Sequence, residues 1–221
     1  MKLDPSQLSA GQRYKLLVGC VTPRPIALVS SISADGRPNL APFSFFNGIS
    51  ADPMAVMFSP FTKSDGSDKD TTANVLPVAE GGRGEFVINL AVQGNVRRMA
   101  ACAEDLPYGD SEFDFAGLTA VTSEVVAPPR VAESPVAFEC RTLQVLRLAE
   151  GMPLSGNLVI GQVVAVHIED ELMDERFRVD QARLNTVGRM GGPTYCRTTE
   201  QFELGRGLAA LQGPPPFDGS D

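Results

Sequence analysis

Between Thr22 and Thr72 the chain reverses direction too often for anything but short strands. Ile26 to Ser33 is mostly apolar and rich in β-formers, as in a largely buried strand. Ser33-Ala34-Asp35-Gly36-Arg37-Pro38 follows, with Gly36 free to take positive φ and close a turn. Asn39 to Asn47 leads back through a Pro- and Phe-rich break. Asp52-Pro53 opens a third strand, in which Met54, Val56 and Phe58 alternate with Ala55 and Met57. A strand with two apolar faces is buried on both sides, or it offers one face to a ligand or a partner chain. TKSDGSD (62–68) reads as a surface loop. Asp70 is placed to cap a short helix from Thr71 to Leu76, which Pro77 ends.

The rest of the chain continues the pattern. Ser6 or Ser9 can cap a first helix running to Lys15 or Leu16. Glu85 to Leu90 is a short strand, and Gly94-Asn95 starts a helix reaching about Glu104. Pro107 to Gly117 reads as a loop, and Pro128-Pro129 marks an extended connector. Val136 to Leu148 and Asn157 to Ile168 are long strands. Val187 to Cys196 is a Gly-rich segment. Strands outnumber helices, so the expected fold is mainly β, a small β-barrel with a few short helices. Residues 1–205 are expected to form one domain, with 206–221 a disordered Pro/Gly-rich tail.

Composition removes several functions. A net charge of −8 and a pI near 4.7 argue against a nucleic-acid binder, which needs a basic face. Cys20, Cys102, Cys140 and Cys196 are widely spaced with no CxxC pair, as expected of reduced thiols in a cytoplasmic protein. No basic-then-apolar start and no apolar run of about 20 residues points to a membrane. His167 is the only histidine, so neither a His-rich metal site nor a Ser-His-Asp hydrolase is expected. No GxGxxG follows a strand, so no Rossmann nucleotide site is expected.

One set of fragments is more specific. RPIALVSS, the Asp-Gly turn, NLAPFSFFNGIS, DPMAVMFS and KDT occur in that order, followed by GEFVINL (84–90) and GRMGGPTY (188–195). Together they resemble the flavin reductase-like family of FMN-binding split β-barrels, over about residues 12–196. The resemblance implies a Greek-key split barrel that binds FMN and is a homodimer with the flavin near the subunit interface. It also implies an oxidoreductase taking electrons from NAD(P)H and passing them to a second substrate, a monooxygenase or another redox partner. The alternative is an FMN-binding electron carrier or flavin-holding protein without its own NAD(P)H oxidation.

FMN needs cations and N–H groups for its phosphate, polar side chains for its ribityl chain and a flat apolar face for its ring. Lys69, Thr71 and Thr72 suit the phosphate, at the start of a helix. Asp70 would cap that helix or hold Lys69. By the resemblance, Ser44, Phe45, Phe46 and Asn47 lie along the flavin. Phe45 and Phe46 point to opposite faces, which leaves one of them for the core. Ser59 is a further phosphate or ribityl candidate. Arg24, between Pro23 and Pro25, either meets the phosphate or flavin edge or is a solvated surface residue. Arg189, between glycines, either nears the flavin or sits on a solvated turn. His167, in an apolar β run, reads as a packed strand residue.

Overall fold

The computed structural model describes residues 1–107 and 110–213. Helix α1 (Ala10–Cys20) precedes β1 (Ala27–Ile32), β2 (Pro38–Phe43), β3 (Phe46–Ala51) and β4 (Met54–Phe58). Helix α2 (Asp70–Val75), β5 (Glu85–Leu90), α3 (Val96–Ala101) and α4 (Glu112–Ala116) follow. Next come the short β6 (Ala120–Val121) and β7 (Arg130–Val131), then the long β8 (Val136–Arg147) and β9 (Asn157–Ile168). Helix α5 (Gln181–Leu184), β10 (Val187–Arg189), β11 (Tyr195–Arg197) and α6 (Leu208–Gln212) complete the chain.

Seven strands form one antiparallel sheet in the order β2-β1-β5-β8-β9-β4-β3. β2 and β3 are the two outermost strands of that order, yet only Ser44 and Phe45 separate them in sequence. Two residues reach from one sheet edge to the other only if the sheet rolls up and brings its edges together. The barrel seam therefore lies at Ser44-Phe45.

Alternation along the strands sorts side chains into two cores. Ala27, Val29, Phe43, Phe58, Phe86, Ile88 and Val159 point into the barrel. The rings of Phe58 and Phe86 meet there at 5.2 Å. Leu28 and Leu40 point outward and are covered by Met99 of α3 and Phe113 of α4. This outer layer explains why β1 is buried on both faces. The predicted loop from Pro107 to Gly117 was incomplete, because Phe113 drops into this second core and organises α4 around it.

Residues 122–129 cross the outer face of β1, β5 and β8 without joining the sheet. Polar side chains on that face hold them instead. Ser30 Oγ donates to Pro129 O, and Asn89 Oδ1 accepts from Val131 N at 2.8 Å. The fully buried Glu139 accepts the N–H groups of Glu124, Val125 and Val126 at 2.7, 2.6 and 3.0 Å.

Ser9 caps α1 in a capping box with Gln12, and Gly36 takes φ +88° in the β1–β2 turn. The Gly-rich segment forms the β10–β11 hairpin. Asp70 differs from expectation. It is the first helical residue of α2, Lys69 occupies the cap position with no side-chain cap bond, and the Asp70 carboxylate pairs with Lys63 at 3.3 Å, not with Lys69. In the expected tail, α6 occupies Leu208–Gln212, and residues 214–221 lie outside the described residues.

Candidate functional site

The seam gathers an aromatic ledge. Ser59, just past β4, donates its N–H to Phe45 O at 2.8 Å and so fixes the end of β4 to the seam. The Phe61 ring lies 4.9 Å from that of Phe45, and Tyr14 of α1 meets Phe61 edge-on at 6.1 Å. Phe61 is also bridged to Gly156, at the start of β9. Phe45, Phe61, Ser44 and Ser59 are all half-buried. The result is a partly exposed apolar step edged by two hydroxyls, a shape able to take one face of a flat ring. Asn47, two residues on, is exposed on the edge strand β3. Phe46 turns the other way and is buried in the barrel core. Tyr14 and Phe61 were not singled out as ring contacts from the sequence. Tyr14 lies 47 residues from Phe61, and no local pattern joins them.

Arg24 is not a solvated surface residue. It is 5% exposed. One guanidinium nitrogen donates to Val18 O and Val21 O at 2.6 and 2.7 Å, and the other to Met190 O at 3.0 Å. Its Nε lies 3.4 Å from Ser44 Oγ, and the guanidinium carbon stands 5.8 Å from the Phe45 ring centre. Burial lowers its pKa, the Tyr14 hydroxyl opposes that, and Arg189 adds to it. The backbones of Arg24 and Arg189 exchange two hydrogen bonds, at 3.0 and 2.8 Å. The Arg189 guanidinium carbon stands 4.4 Å from the Tyr195 ring centre, so the side chain is half-buried rather than on a bare solvated turn.

From the ledge the chain runs through residues 62–69 into α2. Thr62 Oγ1 donates to Met152 O at 2.6 Å, and Arg147 grips both oxygens of Asp68 at 2.7 Å. These bonds moor the segment to the β8–β9 hairpin. Lys63 and Lys69 are exposed. The first helical backbone bond of α2 runs from Ala73 N to Lys69 O, so the N–H groups of Asp70, Thr71 and Thr72 have no intrahelical acceptor. The hydroxyls of Thr71 and Thr72, in contrast, face inward. Thr71 is 1% exposed, and its Oγ1 accepts from Asn39 Nδ2 at 2.9 Å. Thr72 Oγ1 is buried without a hydrogen-bond partner.

His167 is remote from the ledge. It lies eight residues along β9 from Val159, the partner of Phe58, or about 26 Å at strand rise. Among the described residues, no group of His, Cys, Asp and Glu could hold a metal ion, and no helix is long and apolar enough to cross a membrane.

Comparison with known proteins places this geometry. Residues 18–184 match the model of the flavin reductase like domain. An uncharacterized protein of Halalkalibacterium halodurans is 38% identical over 207 residues, spanning 93% of this chain and 96% of that protein. Nitrilotriacetate monooxygenase component B of Bacillus cereus superposes with a TM-score of 0.85 at 33% identity, covering 92% of this chain and 98% of that one. The 2-nitrobenzoate 2-nitroreductase NbaA of Pseudomonas fluorescens superposes with a TM-score of 0.82 at 32% identity, covering 94% and 97%. With its rolled antiparallel sheet and its match over three quarters of its length, this chain belongs to the flavin reductase-like family of split-barrel flavin oxidoreductases.

Proposed function

We propose that this protein binds FMN at the barrel seam and acts as an NAD(P)H-dependent flavin reductase that passes electrons to a second acceptor. The observation that carries the reading is the half-buried ledge of Phe45 and Phe61 beside Ser44 and Ser59, with a loop carrying Lys63 and Lys69 leading from it to α2. Phe45 and Phe61 would support one ring face. Ser44, Ser59 and Asn47 would meet the ring edge and ribityl chain. Lys69, Lys63 and the free N–H groups of α2 would meet the phosphate. When bound, FMN supplies the electron-transfer chemistry. The chain's own residues hold the ring with one face open and keep the phosphate end fixed.

The superposed Bacillus cereus protein is named as a component of a monooxygenase, which supports a partner enzyme as acceptor. Exposed Ile49, Leu143, Leu146 and Leu148 give the sheet an apolar outer surface that a second copy would cover, in keeping with a homodimer. The absence of a Rossmann motif keeps a second reading in view, an electron carrier reduced by a protein.

The deciding experiment is the visible spectrum of the purified protein, followed by anaerobic addition of NADH and then NADPH. Flavin bands bleached by one nucleotide establish the reductase and identify its donor. Flavin bands that neither nucleotide bleaches establish the carrier. A colourless protein that takes up no added FMN overturns both.

A further inference from the structure

We infer that Arg24 is the positioning residue of the ring site, a buried clamp that holds the ledge in shape without touching the flavin. This rests on the flavin reading above and deepens it.

Three segments distant in sequence converge on one guanidinium. Its bonds to Val18 O and Val21 O cap the C-terminal end of α1, where carbonyls lack intrahelical partners and the helix dipole favours a cation. Its bond to Met190 O, 166 residues away, fixes the segment after β10. Its Nε and its face address Ser44 Oγ and the Phe45 ring at the seam. Two of these segments have few anchors of their own. α1 buries only Val18 of its 11 residues, so the place of Tyr14 on the ledge depends on what anchors the helix end. Ser44-Phe45 is the two-residue link between sheet edges and lies outside the paired ladders, held there by the bond from Ser59 N to Phe45 O. The planar guanidinium fork suits carbonyls on several sides at once, and an ammonium on a shorter stem does not. Pro23 and Pro25 stiffen the backbone on either side, and the exchange of backbone bonds with Arg189 holds Arg24 in place. A ring site needs this kind of support, because a misplaced contact surface loses affinity even with every contact residue present.

The test compares FMN with lumiflavin, which has the ring but neither ribityl chain nor phosphate. Affinities for both are measured by fluorescence titration on wild type, Arg24→Lys and Arg24→Met, with circular dichroism and thermal melting on each. The expected result is a loss of at least about tenfold in Arg24→Met, a smaller loss in Arg24→Lys, and the same factor for both ligands in each variant. A loss for FMN with lumiflavin unchanged would make Arg24 a phosphate contact and overturn the proposal. A lower melting temperature with both affinities unchanged would make it a fold residue only and overturn it equally. If Arg24→Met does not fold, Arg24→Lys decides by the same criteria. Wild type that binds neither ligand removes the flavin reading itself, whereas wild type that binds both beside an unaffected Arg24→Lys removes the clamp alone.

Discussion

His167 Nε2 stands 2.6 Å from the Glu139 carboxylate, the fourth hydrogen bond to a side chain with no solvent exposure. Burial alone would raise the Glu139 pKa. The amides of Glu124 and Val125, then His167 and the amide of Val126, outweigh it and hold the pKa below the ordinary glutamate value. A depressed folded pKa means stability that is present above the unfolded value, about 4.3, and lost as pH falls through the folded value. Glu139→Ala should therefore cost about 1–3 kcal/mol at neutral pH, because it removes the acceptor of three amides and of the His167 contact. It should also flatten the acid limb of the stability curve. Urea melts of wild type and variant from pH 3 to 7 check both. A wild-type acid limb left unchanged in the variant would deny Glu139 its role in holding residues 124–126.

Gly161 is a second point where the barrel allows no freedom. A Cβ there would lie 2.3 Å from Phe86 Cζ and 2.8 Å from Cε1. Its backbone is ordinary strand, so the conflict is purely one of space. Gly161→Ala should destabilise by about 1–3 kcal/mol through overpacking. Adding Phe86→Leu should relieve part of that cost, so the double variant is more stable than the two single effects summed. Simple additivity in denaturant melts would show that the two sites do not meet.

Much of this fold was legible because it is local. Asn157 to Ile168 is rich in β-formers, with Val159, Ile160, Val163, Val164, Val166 and Ile168, and is a strand over that range. Ser9 and Gln12 form their capping box within one turn. The turn at Gly36 was legible too, since an Asp-Gly pair signals it within four residues. What escaped depends on distance. The burial of Arg24 could not be read from its neighbours because Met190, whose carbonyl accepts from it, lies 166 positions away. Thr71 looked like a phosphate contact because a helix start suggests exposed hydroxyls, whereas packing of α2 against β1 and β2 turns that side chain inward. No window of sequence around Glu139 shows that residues 124–126 would fold back onto it.

The inward Thr71 leads to a prediction that separates two roles. Its Oγ1 accepts from Asn39 Nδ2, which also lies 3.3 Å from Ser31 Oγ, and Asn74 Nδ2 reaches the same Ser31 at 3.0 Å. Thr71→Val keeps the shape and removes the acceptor. It should destabilise by about 1–3 kcal/mol, the cost of a buried donor left short of a partner. FMN affinity of the folded protein should stay within about twofold, against a loss of tenfold or more if the hydroxyl held the phosphate. Melting and flavin titration on one preparation give both numbers.

The phosphate end can be separated from the ring end by charge. Lys69 sits at the start of α2, and Lys63 is paired with Asp70 at 3.3 Å, so two cations and one carboxylate belong to the residues at or bonded to that helix start. Lys69→Ala should weaken FMN by about five- to tenfold and leave riboflavin, which lacks the phosphate, unchanged. Asp70→Asn should act in the opposite direction, strengthening FMN alone, because it removes a negative charge beside the anion and frees Lys63. Both effects should shrink with added salt, since the groups are exposed and screened beyond a Debye length of about 8 Å at physiological ionic strength. Fluorescence titrations of FMN and riboflavin at two salt concentrations measure all of this. Equal shifts for the two flavins would move the phosphate away from α2, while leaving the ledge at Phe45 and Phe61 to be judged by lumiflavin binding.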